Sequence, residues 1–422
     1  MSTTHIVVPA HALHPAVTHG PTRRALSTAG LPARHDLIRF RPLAESRVVP
    51  VPELLSEGAD PERLDPHIAE LLLIGHLRCE GDDAQEVVLD GATGRVFSMD
   101  LFEDAPALID VVPLAPSLGS LCRFLACADE FRSLAGRFAT LAGRTGPDVV
   151  AEASSLLASV FTGEDWGYDG WGSAGPPSTW DHALPAFWRI VAHIRPLALV
   201  AGPGSGLRLD LPPDLLDAEF GAQEMVRTEP AGLPRALAHE PTRRFLTGTG
   251  LPKVESMFAL WRDSSLFRTL AESGAGETGP EGRTGVPGPG SGTGAPGSAG
   301  DGIDERLPPD AKHLVCLGGL IHDLEVLIDG RTGLVSHRFY GEDTTTPLNA
   351  DISTLAFTLW MYSQEQRLND EHDFTRDFHD QLADAMTEAL ASVDPVAYLP
   401  STGEDDHRYW PEVFHDEAGG VL

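Results

Sequence analysis

One motif occurs twice in this chain, and its two copies constrain the fold more than any other feature. The first copy lies within Glu86–Met99 and reads Asp-Gly-Ala-Thr-Gly at its centre. The second lies within Glu325–Arg338 and reads Asp-Gly-Arg-Thr-Gly. Apolar, β-branched residues flank both copies, and Asp-Gly between such runs predicts a β-hairpin. A motif that recurs 239 residues later in a 422-residue chain indicates duplication.

Other short matches follow in the same order along both halves. They are Pro21–Arg24 with Pro241–Arg244, Gly30–Pro32 with Gly250–Pro252, His76 and Cys79 with His313 and Cys316, Pro113-Leu114 with Pro347-Leu348, Leu157–Val160 with Leu390–Val393, and Phe187-Trp188 with Tyr409-Trp410. Because chance does not preserve such an order, we predict two copies of one domain. They span residues 1–202 and 203–422 and join at Gly202–Gly206.

A Gly- and Pro-rich segment, residues 272–302, interrupts the second copy. It has almost no apolar side chains whose burial would offset the entropy lost on ordering, so we predict a flexible loop. The spacing between matching motifs grows from 220 residues before this segment to 239 after it. The segment is therefore an insertion within copy two and not the linker between the copies.

Each copy is predicted to be α+β, with an antiparallel sheet and its β-hairpin packed against helices, because runs of strands precede runs of helices. The predicted helices are Ser117 to about Ala142, Val149–Val160, one from near Trp180, one capped by Asp351 or Ser353 that runs through Trp360, and one from about Asp373 to Ala391.

The charge balance excludes some partners. The chain has 31 basic and 62 acidic residues and a formal net charge of −31, whereas binding a nucleic-acid backbone needs clustered cations. The balance is compatible with simple solubility, which is the preferred interpretation, or with a basic protein partner drawn in by long-range attraction. No signal peptide or membrane-spanning run is apparent, and the four cysteines fit a reduced, cytoplasmic protein. The sequence leaves the oligomeric state open.

Candidates for chemistry are few, and we predict no catalytic, cofactor-binding or metal-binding residue. Cys122 and Cys127 lie five residues apart on a predicted helix without a second cysteine pair, which favours small core residues over a zinc site. His76 and His313 are interpreted as structural histidines at equivalent strand positions. Four histidines lie close together near the N-terminus: His5, His11, His14 and His19. We interpret this segment as a solvated tail in preference to a metal-binding site.

Two His-Asp dipeptides, His372-Asp373 and His379-Asp380, resemble those of metal-dependent phosphohydrolases. A spacing of seven residues places both on one face of a predicted helix. The other ligands of such a site are missing, so an exposed helix face is the preferred interpretation.

Aromatic residues in a Gly-rich loop are the best candidates for contacting a partner. They are Trp166, Tyr168 and Trp171, in a segment at residues 163–177 where copy one is longer than copy two. Trp and Tyr often anchor protein interfaces. The alternative is that this loop folds back over the core of its own copy.

Together, the repeated motifs resemble those of the SUKH superfamily of bacterial immunity proteins, specifically its fourth family. The features that carry the resemblance are the Pro-Thr-Arg-Arg element, the following Gly-Leu-Pro, the Asp-Gly-x-Thr-Gly hairpin, Pro-Leu before a helix, and the terminal aromatic-Trp pair. The resemblance implies a non-enzymatic binding module that neutralises a protein toxin, often a nuclease or a nucleic-acid deaminase. A tandem scaffolding module is the alternative, and a hydrolase built on the His-Asp pairs is the least favoured hypothesis.

Overall fold

The computed structural model describes residues 5–33, 35–41, 49–79, 82–161, 184–255, 257–261, 266–274, 307–321, 323–399 and 408–420. The chain divides into two compact units. Unit 1 consists of Met1–Ala142, Ala151–His193 and His372–Asp384, and unit 2 of Gly143–Val150, Ile194–Glu371 and Ala385–Leu422. The repeat boundary between residues 202 and 203 stays a prediction. The compact units divide the chain differently, since each includes a short segment from the other half.

An antiparallel sheet forms the centre of the first repeat. Its strand order is β3-β5-β6-β7-β8, and β4 also pairs with β5. The strands are β1 His5–Ile6, β2 Leu31–Pro32, β3 Ile38–Phe40, β4 Val49–Pro50, β5 Leu72–Cys79, β6 Asp82–Leu89, β7 Val96–Met99 and β8 Val111–Ala115. Strands β1 and β2 form a separate two-stranded ladder. The helices are α1 Gly20–Thr28, α2 Pro66–Ala69, α3 Leu118–Arg132, α4 Pro147–Ala158 and α5 Ala186–His193.

The second repeat has a corresponding sheet of six strands in the order β13-β14-β15-β16-β17-β18. Its strands are β9 Gly202–Pro203, β10 Leu209–Asp210, β11 Met225–Val226, β12 Leu251–Pro252, β13 Val254–Glu255, β14 Phe258–Leu260, β15 Leu314–Leu320, β16 Leu324–Asp329, β17 Val335–Phe339 and β18 Thr346–Asn349. Its helices are α6 Leu215–Phe220, α7 Glu240–Gly248, α8 Leu270–Gly274, α9 Ile352–His372, α10 Thr375–Val393 and α11 Tyr409–Ala418. The α+β class is confirmed.

The repeated motif forms a β-hairpin in both copies. In the first, Oδ1 of Asp90 accepts hydrogen bonds from the backbone N–H groups of Ala92 and Thr93 at 2.8 and 3.1 Å. The glycine in the left-handed region is the second one of the motif, Gly94 at φ 81°, with its counterpart Gly333 at φ 83°. The hairpin prediction is correct, but the position that needs a left-handed residue is the last of the motif and not the Asp-Gly step.

The first glycine of the motif is required by a close backbone approach. A Cβ atom on Gly91 would lie 2.3 Å from the carbonyl oxygen of Ala16, and one on Gly330 would lie 2.1 Å from that of Ala236. The backbone N–H of His19 donates to the Gly91 carbonyl at 2.9 Å. The turn is therefore the place where the segment before helix α1 docks onto the sheet.

The Pro-Thr-Arg-Arg element completes this docking. Thr22 is buried, and its hydroxyl lies 2.8 Å from Nδ1 of His19; both side chains lie against Gly94, where a Cβ atom would collide with them. The Arg23 guanidinium donates to the carbonyl of Val17 at 2.7 Å. The second copy repeats the contact between His239 and Thr242, also at 2.8 Å. Two motifs that lie far apart in sequence thus form one structural unit.

Helix starts follow the predicted caps, but helix ends differ from the prediction. The Ser117 hydroxyl accepts from the Ser120 N–H at 3.1 Å and starts α3. The predicted continuation to Ala142 is wrong, because α3 ends at Arg132 and Leu134 adopts φ 44°, which an α-helix does not allow. A 3-10 helix at Gly136–Leu141 follows.

The segment predicted as one helix from Asp373 also starts later. Asp373 has φ 53°, so α9 ends at His372 and α10 begins at Thr375. At the start of α9, Oδ1 of Asp351 accepts a hydrogen bond from the backbone N–H of Ser353 at 2.8 Å, which identifies Asp351 as the N-cap of this helix.

The terminal tryptophan of each repeat is a buried anchor between helix and sheet. The indole N–H of Trp188 in α5 donates to the carbonyl of Leu114 in β8 at 2.6 Å. In the second repeat the indole N–H of Trp410 in α11 donates to Oδ1 of Asn349 in β18 at 3.1 Å. Both side chains are fully buried. The repeated aromatic-Trp pair is thus explained by packing.

One correspondence drawn from the sequence is wrong. Strand register places Gly75 opposite Val87 and Gly318 opposite Val326. The two valines lie on β6 and β16 and have the 239-residue spacing of the hairpins, so the two glycines are equivalent. His76 therefore corresponds to Gly319, and not to His313, which precedes β15. Cys79 and Cys316 are likewise not equivalent, since Cys316 pairs with Leu327 and Cys79 with Asp82. A register difference of this kind is invisible to short motif matching.

The Gly- and Pro-rich insertion falls mostly outside the described residues. Its first three residues, 272–274, belong to α8, where the Thr269 hydroxyl accepts from the N–H of Glu272 at 3.3 Å. The predicted loop therefore begins after Gly274, and the rest of it stays a prediction.

Candidate functional site

The residues chosen from the sequence for partner contact are not among those that the structure describes. Trp166, Tyr168 and Trp171, with the whole segment at residues 163–177, lie in the gap between residues 161 and 184. Their role stays a prediction.

The cysteine thiols on helix α3 are held in their neutral form. Burial raises the pKa of Cys122 to about 11, and that of Cys127 to about 11 as well. A thiol with such a pKa is almost entirely protonated at neutral pH and is a poor nucleophile and metal ligand. This favours the interpretation of both as core residues.

The N-terminal histidines belong to a folded segment, which corrects the interpretation as a solvated tail. Val8, Leu13 and Val17 are buried between them. The ring of His5 lies 2.9 Å from the carbonyl of Ala29, and His19 contacts Thr22 as described above. These residues are ordered because the segment docks onto the hairpin turn.

The two His-Asp dipeptides do not share one continuous helix face. His372 is the last residue of α9, whereas His379 lies on α10 beyond the left-handed Asp373 and beyond Phe378, whose φ of −143° is not helical. The ring of His372 stacks on His193 at a centroid distance of 5.1 Å. The geometric basis of the hydrolase hypothesis is therefore lost.

The β17–β18 loop of the second repeat, taken with the last residue of β17 (residues 339–345), exposes apolar side chains next to acidic ones. Phe339 at its start is 46% exposed and Tyr340 is 37% exposed. Glu342 and Asp343 follow directly. Large exposed aromatic groups beside charged residues are typical of protein interfaces.

A buried ion pair fixes the base of this loop. Nε of Arg338 lies 2.7 Å from Oε2 of Glu325, and both side chains are completely buried. Nη1 of the same guanidinium donates to the backbone carbonyl of Glu342 at 2.7 Å. Because these groups face each other across β16 and β17, the sheet holds the loop in one conformation.

Aromatic side chains meet beside this loop on the same sheet. A Cβ atom on Gly319 would lie 3.7 Å from Nε1 of Trp261 and 3.8 Å from the hydroxyl of Tyr340. Trp261 also lines a surface pocket of about 500 Å³. The other lining residues are Glu224, Val226, Lys253, Leu260 and Leu266. At the rim, Lys253 and Glu224 form an ion pair at 3.5 Å.

The β7–β8 loop of the first repeat (residues 100–110) presents a similar surface. Phe102 is 47% exposed and Leu108 is 67% exposed. Glu103 and Asp104 precede Glu342 and Asp343 by the same 239 residues that separate the hairpins. Ser56 fixes the loop, since its hydroxyl and its backbone N–H donate to Glu103 at 3.2 and 3.3 Å. We call the β7–β8 and β17–β18 loops the acidic loops.

The first acidic loop generates a negative field in unit 1. Burial, and then the nearby charges of Asp100 and Glu103, raise the pKa of Glu86. Burial also raises the pKa of Asp377, and Asp100 and Asp110 act in the same direction. Carboxylates raise one another's pKa when their negative charges repel, and a bound cationic partner would reduce that repulsion.

These loops can bind a protein that presents both apolar and basic groups. Exposed apolar side chains supply contact area, and surrounding carboxylates supply long-range attraction. A repeated Glu-Asp pair at the hairpin spacing was a signal in the sequence that motif matching missed. Trp261 had no such signal, because its counterpart in the first repeat is Arg41.

Comparison with family models gives a match over most of the chain. The model of the SUKH-4 immunity protein matches residues 4–160 and again residues 211–416. The chain belongs to the SUKH-4 immunity protein family. Two matched regions in one SUKH-4 chain are consistent with a tandem duplication, and membership implies a role in immunity against a toxin. Comparison with curated proteins and with solved structures gave no match.

The described helices of this SUKH-4 chain differ from membrane spans. Among the described residues, none of the helices combines the length and the apolar composition that crossing a bilayer requires.

Proposed function

We propose that this SUKH-4 protein is a non-enzymatic, cytoplasmic immunity protein that binds a polymorphic toxin and occludes its active site. The proposed toxin is a basic protein, a nuclease or a nucleic-acid deaminase, since enzymes that bind nucleic acid carry cationic surfaces. The acidic loops are the proposed contact surface. No cofactor and no nucleic acid takes part in this function.

One observation carries the proposal beyond family membership. The same loop in both repeats places exposed apolar side chains beside a Glu-Asp pair, although the sequences differ around that pair. Internal packing does not account for side chains that are about half exposed. A net charge of −31 adds long-range attraction for a basic partner and speeds encounter.

Co-expression tests the proposal. The probe is the toxin domain from the reading frame next to the gene for this chain, expressed with and without the full-length protein. We expect growth rescue and a complex that survives size-exclusion chromatography. Combined Phe102→Ala and Phe339→Ala substitutions should weaken binding at least about 30-fold, because two interface anchors each contribute about 1–2 kcal/mol or more.

A matched control is Leu399→Ala, since Leu399 is 55% exposed and lies outside both loops. It should leave binding unchanged. Failure of the full-length protein to bind or rescue against the neighbouring toxin would overturn the proposed function. Equal effects of the loop variant and Leu399→Ala would overturn the assignment of the surface alone.

A tandem scaffold that holds two different partners is the second candidate. The aromatic pocket beside Trp261 favours it, because the equivalent strand position in the first repeat is Arg41 and the two repeats therefore offer different chemistry. Affinity purification with full-length protein distinguishes the two. Several unrelated cellular partners and no toxin would support the scaffold.

A further inference from the structure

Three cationic side chains gather on one face of the first repeat's sheet. Arg39 on β3 lies directly opposite His76 on β5. Arg41 follows Arg39 by two residues, so it lies on the same face about 7 Å further along an extended chain. Ile38 before Arg39 and Phe40 between the two arginines are buried on the opposite face. We call Arg39, Arg41 and His76 the cationic face.

The charges of this face act on one another. Burial is the main cause that lowers the pKa of His76, and the charges of Arg39 and Arg41 lower it further. Glu86 lies opposite His76 on β6 and supplies an opposing charge. Arg39 is exposed and Arg41 half-buried, so a partner has access to both. Arg39, Arg41 and His76 thus share one face in a chain that has twice as many acidic as basic residues.

The second repeat has lost all three cations at the equivalent positions. Gly75 and Gly318 occupy the same structural position, since a Cβ atom would lie 2.6 Å from the Arg39 carbonyl in one repeat and 2.1 Å from the Ala259 carbonyl in the other. Arg39 thus corresponds to Ala259. By the same register, the remaining pairs are Arg41 with Trp261 and His76 with Gly319. The surface that is cationic in one repeat borders the aromatic pocket in the other.

A short strand lies at this edge of each sheet. In the second repeat β13 pairs with β14 and covers the edge of the sheet. In the first, β3 is the outermost strand of the sheet among the described residues. An outermost strand can pair with an added extended segment, whose alternate side chains then lie over alternate residues of the strand.

We propose that the cationic face binds an extended acidic segment of a protein partner, with carboxylates at alternate positions facing Arg39 and Arg41. A peptide fits better than a nucleic acid, because pairing with the outermost strand β3 needs backbone N–H and C=O groups at strand spacing, which a nucleic acid lacks. This surface is distinct from the acidic loops, whose proposed partner is basic. The inference therefore does not depend on the proposed function.

Fluorescence anisotropy tests this proposal with full-length protein. The probe is a labelled peptide of five Glu-Thr repeats, and its twin has Gln at every Glu position. In 50 mM salt we expect the Glu peptide to bind about fivefold more tightly than the Gln peptide, which is the gain that two exposed ion pairs give. Combined Arg39→Ala and Arg41→Ala substitutions should remove that difference, as two exposed ion pairs predict.

The matched control removes two exposed arginines elsewhere. Arg24→Ala with Arg244→Ala makes the same change in net charge on helices α1 and α7. This control should keep the preference for the Glu peptide. The proposal would be overturned if both double variants lost the preference for the Glu peptide to the same extent, because overall charge would then explain the binding.

The wild-type comparison is decisive even if a variant fails to fold. Equal affinity of wild type for the Glu and Gln peptides would overturn the proposal. So would tighter binding of a ten-nucleotide single-stranded DNA than of the Glu peptide. A third outcome would also overturn the proposal: wild type binds no peptide, and the variant with Arg39→Ala and Arg41→Ala is dimeric in light scattering. The arginines would then prevent an outermost strand from pairing with a second copy of the chain.

Discussion

Removing one partner of the buried ion pair should destabilise the second repeat strongly. Arg338→Met leaves the Glu325 carboxylate completely buried without the guanidinium 2.7 Å away. It also removes the hydrogen bond from Nη1 to the Glu342 carbonyl. Loss of one member of a buried pair costs about 3–5 kcal/mol in free energy of unfolding. Methionine is the matched choice, because Met99 occupies the equivalent position opposite Glu86 in the first repeat.

A second variant distinguishes two free energies: the destabilisation caused by an unpaired buried charge, and the net contribution of the ion pair to stability. Replacing both residues, with Glu325→Leu and Arg338→Met, removes the buried charge altogether. Apolar replacement of a buried pair is often close to neutral, so the double variant should lie within about 1–2 kcal/mol of wild type. Urea unfolding followed by far-ultraviolet circular dichroism gives these free energies.

An exposed ion pair supplies the control. Arg331→Met removes an arginine that is half exposed and bound to Asp329 and Asp310 at the surface. It should change the midpoint of unfolding little, because exposed ion pairs contribute little. The reasoning is refuted if Arg338→Met has no larger effect than Arg331→Met, or if the double variant is as unstable as Arg338→Met alone.

Three further predictions follow from single contacts. Gly318→Ala should lower the free energy of unfolding by more than about 2 kcal/mol, because the added Cβ would collide with a backbone carbonyl. Gly248→Ala is the control and should not destabilise the protein, because the space around Gly248 is open. Thermal unfolding measures both effects. Trp410→Phe should cost about 1–3 kcal/mol in urea unfolding, because the buried Asn349 oxygen loses its indole donor. Burial lowers the pKa of His35, whose Nδ1 accepts from the Leu37 N–H. The folded state therefore resists protonation, so stability should fall as pH drops below about 6.5, and His35→Gln should reduce that fall.

Features governed by local chemistry were predictable from the sequence. The hairpins follow from Asp-Gly-x-Thr-Gly between apolar runs, and the start of α3 follows from Ser117. The end of α3 did not follow, because Leu134 enters the left-handed region without a glycine to signal it. The correspondence of His76 with Gly319 also depended on strand register, which pairing across the sheet decides and short motifs do not.

Tertiary context decided the rest. Residues 372–384 belong to unit 1, where Phe378 contacts Phe187 at a centroid distance of 5.7 Å. Periodicity along α10 gives no sign of this contact. Likewise, the exposure of Phe339 and Tyr340 depends on where β17 ends, at Phe339, which the sequence motifs do not mark.

The most direct test of the central claim is the affinity of the full-length protein for the neighbouring toxin domain, measured by isothermal titration calorimetry with charge-reversed acidic loops. Glu103→Lys, Asp104→Lys, Glu342→Lys and Asp343→Lys together should weaken binding at least about 100-fold, and the loss should shrink as salt is raised. Asp370→Lys, at an exposed acidic residue outside the loops, should have little effect. Tight binding that the four substitutions leave unchanged would contradict the assignment of the acidic loops as the toxin-binding surface.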